Sequence, residues 1–311
     1  MKHLFIVNPV AGGKDKTETA CAQVARYFSG REGRFEVYTT RAPLDACNKI
    51  RREAAENDAL RVYACGGDGT LNECVSAAYG LENVAVTCFP TGTGNDFIKI
   101  FGAEGARFRD LGALIEGETR RLDLIRCNEY YCLNICSVGI DARVGADVHK
   151  YSHIPLIGGA TGYVTSLAVN FFKSVSQELR IVCGGRLFYG DINLACACNG
   201  QYYGGGFHPV PEARPDDGVL DFLIVRGVTR AKIVSAVMTY AKGGYAKLPE
   251  YITHIRDTKM SIESPEEIVV NLDGESVYAQ KIDIELIPGG IPFIVPTEMA
   301  FFAGESEKIR L

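Results

Sequence analysis

Apolar and polar positions alternate with two different textures along the chain. In the first third, short apolar runs are followed by stretches whose apolar residues recur at helical spacing. LFIVN (4–8) precedes a helical run from about Thr17 to Phe28, and FEVYT (35–39) precedes another from about Leu44 to Ala55. VYAC (62–65) leads through glycines into a helix starting near Leu71, and VAVTCF (84–89) leads into a short helix near Asn95. Strands and helices in strict alternation predict a parallel sheet with helices on both faces. After Leu122 the texture changes. YCLNICSVGI, FYGDINLACAC, GVLDFLIV, MSIES, EEIVVNL and KIDIELI read as strands joined by polar turns. KIDIELI alternates, with Ile282, Ile284 and Leu286 on one face and Asp283 and Glu285 on the other, as a half-buried strand does. A mostly antiparallel β domain is predicted there, with helical pieces near 160–173 and 229–240. The expected division is 1–123 with a returning tail from about 297 to 311, and 124–296. At 311 residues two compact units are the natural expectation.

Composition narrows the partners. A net charge of −5 with 33 Lys and Arg spread along the chain argues against nucleic acid as a ligand. The 11 cysteines are odd in number, lack a CxxC pair and fall mainly in strand-like apolar runs, so they read as reduced thiols of a cytoplasmic protein. Met1-Lys2-His3 runs directly into a strand, with no signal peptide expected. The uncharged stretch Ser152–Phe172 is long enough to span a bilayer, but Pro155 and its scattered Gly, Ser, Thr and Asn dilute it. Tyr163, Val164, Leu167, Ala168 and Phe171 share one helical stripe opposite Thr161, Thr165, Ser166 and Asn170. An amphipathic helix, with no transmembrane segment, is expected.

The strongest chemical signal is Gly66-Gly67-Asp68-Gly69-Thr70, between a strand and a helix. Glycines let a backbone approach a polyphosphate, and a helix N-terminus offers free N–H groups to it. Asp68 would repel phosphate, so its expected task is to hold Mg²⁺ or to orient the turn. Pro90-Thr91-Gly92-Thr93-Gly94-Asn95-Asp96 repeats the arrangement one β-α unit later, although Asn95 and Asp96 also serve as ordinary helix caps. Asn8-Pro9-Val10-Ala11-Gly12-Gly13-Lys14 ends the first strand, and Thr40 ends the second. Neither Walker A nor GxGxxG spacing is met: Lys14 is followed by Asp15, and Phe97 stands where a third glycine belongs. Asn271-Leu272-Asp273-Gly274-Glu275 is a tight turn with two acids. It reads either as a solvated hairpin or as the source of a carboxylate that accepts a hydroxyl proton. Arg214-Pro215-Asp216-Asp217-Gly218-Val219-Leu220-Asp221 reads either as a turn or as a hard-cation loop. His149 and His153 have i,i+4 spacing but no adjoining Glu or Cys, so exposed or capping roles are expected.

NPVAGGK, GGDGTLNE, PTGTGNDF, NICSVGIDA, PDDGVLD and NLDGE, in this order across nearly the whole chain, resemble the diacylglycerol kinase catalytic-domain family, with its bacterial soluble lipid kinases and sphingosine-kinase relatives. GGDGT alone is shared with NAD kinases and phosphofructokinases. The resemblance implies an N-terminal three-layer α/β nucleotide domain, a C-terminal β-sandwich, and an active site in the cleft between them. It implies transfer of the γ-phosphate of ATP, with Mg²⁺, to a lipid hydroxyl, most simply that of diacylglycerol, reached at the membrane surface, and it makes a homodimer plausible. Asn8, Pro9, Val10, Ala11, Gly12, Thr40, Gly66, Gly67, Asp68, Gly69, Thr70, Leu71, Asn72 and Thr93 match the family's nucleotide site. Asp273 and Glu275 match its acidic pair, one of them the base. Asp217, with backbone oxygens of Arg214 and Val219, matches its Mg²⁺ loop. An NAD kinase, or a non-catalytic lipid- or nucleotide-binding protein, is the alternative. The uncharged helix at 160–173 is expected to line or cover a lipid pocket.

Overall fold

The computed structural model describes residues 1–10, 17–92, 94–151 and 175–303, with side chains of 147–151 excepted. The uncharged helix, His153, Ala11, Gly12, Thr93 and the side chain of His149 therefore lie outside what is described. Two compact units emerge: Met1–Leu122 with the chain from Gly289 onward, and Asp123–Pro288.

The first unit is built on four parallel strands, β1 (Lys2–Val7), β2 (Arg34–Thr39), β3 (Leu60–Gly66) and β4 (Val84–Pro90), in spatial order β2-β1-β3-β4. Leu4, Phe5, Ile6, Val62 and Val86 are fully buried, as strands covered on both faces must be. Phe5 stacks on Tyr63 at 4.4 Å between ring centroids. The helices α1 (Thr17–Phe28), α2 (Asp45–Glu56) and α3 (Asp68–Ala78) cross between strands. The chain from β1 turns outward to β2, whereas β3 leads the other way to β4, so strand order reverses between β1 and β3. In open α/β sheets, ligands bind outside the carboxyl ends of the strands at such a reversal. Late in the chain, Phe293 pairs in parallel with Val86, and the Thr87 hydroxyl donates to the Ile294 carbonyl at 2.7 Å. The return thus begins at Gly289, earlier than the tail near Thr297, because the strand itself continues into this sheet.

Helix α3 starts at Asp68 and not near Leu71, since the glycine turn feeds the helix with no intervening loop. After β4 a kinked 3-10 helix covers Phe97–Arg109, followed by α4 (Leu111–Ile115), capped by Asp110. Phe97, Phe101, Phe108 and Phe293 pack edge-on, stacked or tilted between 5.1 and 6.5 Å, which seats this irregular stretch on the sheet.

The second unit is antiparallel throughout its pairings. Its strands are β6 (Tyr130–Cys132), β7 (Ile135–Gly139), β8 (Gln177–Cys183), β9 (Arg186–Cys198), β10 (Leu220–Arg226), β11 (Ile252–Asp257), β12 (Lys259–Leu272) and β13 (Glu275–Val295), with the end of β5 (Glu118–Cys127). Alternation sends Cys136, Val138, Ala195 and Ala197 into one core with Ile262, Ile282 and Ile284. It sends Ile135, Leu194 and Cys196 into another, under the helix Arg230–Tyr240. The two runs MSIES and EEIVVNL are one strand, β12, whose register shifts between Glu263 and Ile268. All 11 cysteines are free thiols, and only Cys21 is exposed.

One ionic network ties three elements of the first sheet layer. Lys2 bonds Glu53 at 2.6 Å and Glu36 at 2.7 Å, while Lys49 bonds Glu53 at 2.6 Å and also Glu36. Burial pushes the Glu53 carboxyl up, but the two lysines outweigh it and hold it down at about 2. The stabilisation is therefore present above the ordinary carboxylate range and is lost as pH falls toward 2. Glu53→Gln is expected to cost about 2 kcal/mol at pH 7, with rim screening allowed for. Urea unfolding of both proteins should show the gap closing as the medium is acidified below about pH 4.5.

Candidate active site

The carboxyl ends of the four parallel strands carry the predicted residues of the first unit. Gly66 is in register with Pro90, so the two glycine turns leave neighbouring strands side by side. The amides of Thr91 and Gly92 both donate to the Gly66 carbonyl, at 3.0 and 2.9 Å. A Cβ on Gly92 would stand 2.5 Å from Gly67 Cα and 2.9 Å from its nitrogen. Glycine is demanded there by backbone against backbone. Gly66 is equally constrained, since its Cβ would meet the Thr70 hydroxyl at 2.2 Å.

Asp68 joins the two turns. Its Oδ1 accepts the Asp96 amide at 2.6 Å and the Phe97 amide at 3.5 Å, capping the 3-10 helix of the second turn from the first. A Cβ on Gly94 would lie 2.6 Å from Asp68 Oδ2, so that glycine makes room for the carboxylate. Burial, reinforced by the Asp96 charge, pushes the Asp68 carboxyl up, against its two amide bonds and Lys99. Lys99 pairs with Asp96. Helix α3 is preceded by Gly67 with no side-chain cap, which leaves its N-terminal dipole end open to an anion.

Asn8 and Thr40 complete this edge. The Asn8 side-chain amide donates to the Thr70 hydroxyl at 3.2 Å, and its carbonyl accepts the Val10 amide at 3.1 Å. Pro9 and Val10 form the turn after β1, where Val10 is exposed. The Thr40 amide bonds the Val7 carbonyl at 2.9 Å. Asn8, Thr40, Gly66, Gly67, Asp68, Gly69 and Thr70 thus share one end of the sheet. Leu71 and Asn72 are buried on α3.

In the second unit, Asp273 and Gly274 form a two-residue turn between β12 and β13, with φ of 51° and 99°. Such positive pairs make a type I′ hairpin. The Asp273 carboxylate accepts three successive amides, Leu133 at 2.7 Å, Asn134 at 3.1 Å and Ile135 at 2.8 Å. Its partners lie 138 to 140 residues away in sequence, out of reach of any reading of local spacing. Glu275 is exposed and opens β13.

The loop 214–221 is held from beneath by Asp123, whose amide donates to the Pro215 carbonyl at 2.7 Å and whose carboxylate accepts the Gly218 amide at 2.8 Å. Arg214 grips Asp216 with two bonds, 2.9 and 2.7 Å. Arg256 pairs with Asp217 and approaches Asp221 at 3.4 Å, which His254 also contacts at 2.7 Å. Partial burial, with Asp221 and Asp123 nearby, pushes the Asp217 carboxyl up against the Val219 amide and Arg256. Lys99, Asp123 and Arg256 were not singled out from sequence as site residues. A signal existed for Asp123, a lone acid between Leu122 and Leu124 in an apolar run.

The diacylglycerol kinase catalytic domain profile matches residues 2–127, and the YegS C-terminal NAD kinase beta sandwich-like domain matches 134–295. The chain belongs to the diacylglycerol kinase catalytic-domain family. Its architecture is that family's N-terminal α/β domain followed by a β-sandwich. A "Probable lipid kinase YegS-like" of Shewanella frigidimarina is 29% identical over 266 residues, 82% of this chain and 83% of that protein. A relative from Staphylococcus aureus named as a lipid kinase is 23% identical over 280 residues, covering 90% and 88%. A solved structure named for a diacylglycerol kinase of Bacillus anthracis superposes with a TM-score of 0.73 at 25% identity, covering 95% of this chain and 97% of that one. The family is one of lipid kinases. No helix among the described residues is long and apolar enough to cross a membrane.

Two stability measurements follow from the geometry. Asp273→Ala is expected to cost roughly 2–4 kcal/mol, because three amides lose a charged acceptor, whereas Glu275→Gln leaves thermal unfolding unchanged. Equal midpoints for the two variants would refute this division. Asp141, in the first turn of the helix Ile140–Tyr151, accepts the Ala142 amide at 2.7 Å. Burial raises its carboxyl to about 6. Ionising it costs stability as pH rises from about 4 through 6. Asp141→Asn should therefore stabilise the fold by about 2 kcal/mol at pH 7 and have no effect near pH 4. Urea unfolding at the two pH values checks both halves.

Proposed function

We propose that this chain transfers the γ-phosphate of ATP to the hydroxyl of a lipid, diacylglycerol in the first instance, giving phosphatidic acid. The observation that carries the reading is the pair of glycine turns locked backbone to backbone beside an α3 N-terminus with no side-chain cap. Amides without side chains before them can wrap a polyphosphate, and the helix dipole favours its charge. Asn8, Pro9, Val10, Thr40, Gly66, Gly67, Gly69, Thr70, Leu71 and Asn72 then form the nucleotide site, together with Ala11, Gly12 and Thr93.

Phosphoryl transfer needs charge neutralisation, positioning and a proton acceptor. Asp68 and Asp96 are two carboxylates with Lys99 as the cation beside them. A polyphosphate would add more negative charge, so a divalent cation fits the balance. Mg²⁺ bound at Asp68 would draw off phosphate charge in the transition state. Asp68 also keeps the two turns in register through its bonds to Asp96 and Phe97. The loop at 214–219 suits a second, structural Mg²⁺, held by the Asp217 carboxylate and the backbone oxygens of Arg214 and Val219. The acids Asp123 and Asp221 raise the negative potential there.

Glu275 is the general base of this proposal. Asp273 spends both carboxylate oxygens on three amides, whereas Glu275 is exposed and available to accept the proton of an attacking hydroxyl. The expected setting is the cytoplasmic face of a membrane, where the lipid is presented.

Labelled γ-phosphate of ATP, offered with Mg²⁺ to a lipid panel in mixed micelles and to NAD, tests the reading. Label in phosphatidic acid is expected; label only in NADP would overturn it. Glu275→Gln is expected to lower transfer by at least about a thousandfold while ATP binding by calorimetry stays intact. Full activity in that variant would remove Glu275 from the reaction.

A further inference from the structure

An open surface recess of about 660 Å³ lies on the first unit, with Gln23, Arg26, Tyr27 and Arg31 on one side and Ala106, Arg109, Asp110, Leu111 and Gly112 on the other. Three guanidinium groups line one recess on a chain whose net charge is −5. Arg26 sits one turn after Gln23 on α1, so both project to the same side. Neither Arg26 nor Arg109 has an ion pair among the described residues, and both are exposed. Arg31 stacks over the Tyr27 ring at 4.4 Å and donates to the Tyr27 carbonyl at 2.6 Å.

One wall is fixed at Tyr27. The Tyr27 hydroxyl donates to Glu116 at 2.9 Å, so its ring is held at the hydroxyl end by Glu116 and across its face by Arg31. Gly112 packs close to Asp110 and Tyr27, since a Cβ there would stand 3.3 Å from Asp110 Oδ1 and in ordinary contact with the Tyr27 ring at 3.4 Å. The two acids nearby are both engaged: Glu116 by Tyr27, and Asp110 by the amides of Gly112 and Ala113 at 2.9 and 3.3 Å. Counting both acids, the recess keeps an excess of one positive charge, carried by guanidiniums with free N–H groups.

We propose that this recess is a binding site for a phosphate group, separate from the nucleotide turns. Planar guanidinium groups match phosphate oxygens two at a time and stay charged at every physiological pH. The recess is open to solvent, so a phosphate group can reach the guanidiniums as the bare ion or as part of a larger ester. Two sources carry that chemistry, a phospholipid headgroup and a free phosphate compound, and the experiment separates them. The proposal does not depend on the kinase reading.

The pocket variant Arg26→Gln with Arg109→Gln is compared with the wild type and with Arg51→Gln and Arg52→Gln, which remove equal charge from the exposed face of α2. One arm measures co-sedimentation with phosphatidylcholine vesicles, with and without phosphatidic acid. The other titrates inorganic phosphate by calorimetry at constant ionic strength. Both contain a non-hydrolysable ATP analogue to fill the nucleotide turns. In at least one arm the wild type is expected to bind, the pocket variant to bind roughly tenfold more weakly, and the control to bind as the wild type does. Loss in the vesicle arm alone assigns the headgroup; loss with inorganic phosphate assigns the free compound. The proposal falls if the wild type binds in neither arm, or if pocket and control variants weaken equally. Circular dichroism of each variant verifies the fold, and a single Arg109→Gln variant replaces the double one if that fails to fold. Lipid phosphorylation on the same preparations is a separate readout, whose absence in the wild type would end the kinase reading and leave the binding result standing.

Discussion

The approach of Gly92 to Gly67 is the constraint on which the first unit's site rests. Two strands in register deliver their turns to the same place, and the turns fit because Gly92 has no side chain to strike the Gly67 backbone. Once the backbones touch, the Gly66 carbonyl accepts both amides of the second turn and Asp68 reaches the next pair. The result is a strip of backbone with its polar groups partly spoken for and the start of α3 open. The arrangement carries a cost. Asp68 is desolvated beside Asp96 and its carboxyl is pushed upward, a penalty that a folding argument alone does not explain. Local strain or unfavourable charge retained at strand ends is the ordinary mark of a ligand site.

The second unit uses the same device with different residues. Asp273 draws in the amides of 133–135, and Asp123 draws in the amide of Gly218. In each case a carboxylate replaces a turn's missing acceptors, which is a strong use of charge in a low-dielectric setting. It also separates roles that residue type leaves merged. Asp273 and Glu275 look equivalent as acids one glycine apart. Their surroundings make the first a fastener of backbone and leave the second facing solvent.

How much of this was legible in the sequence follows from the range of the interactions. The βα alternation, the glycine turns and the hairpin at 273–274 are local patterns, and they were readable from residues 62–70, 84–96 and 271–275. Strand β5 was missed because ETRRLDLIRC carries five charged residues, although Leu122, Leu124 and Ile125 are fully buried. β12 was read as two strands because Pro265 and three acids interrupt it, and the ladder absorbs them at its register shift. The partners of Asp273 and the place of Asp123 under the 214–221 loop could not be read, since no local spacing reports a contact made across a sheet.

The loop at 214–221 shows how much geometry adds to a motif. Its acids suggest a cation, yet Arg256 already occupies one Asp217 oxygen and lies close to Asp221. A guanidinium and a divalent cation are alternative answers to the same negative potential. The Asp217 carboxyl remains pushed up despite Arg256, which means that this arginine does not fully offset Asp123, Asp221 and burial. For the Mg²⁺ proposed here, the backbone oxygens of the loop would supply ligands that Arg256 cannot compete for. If the loop holds Mg²⁺ as proposed, Arg256 would compete with it at Asp217, while the acids of the motif set the sign of the potential.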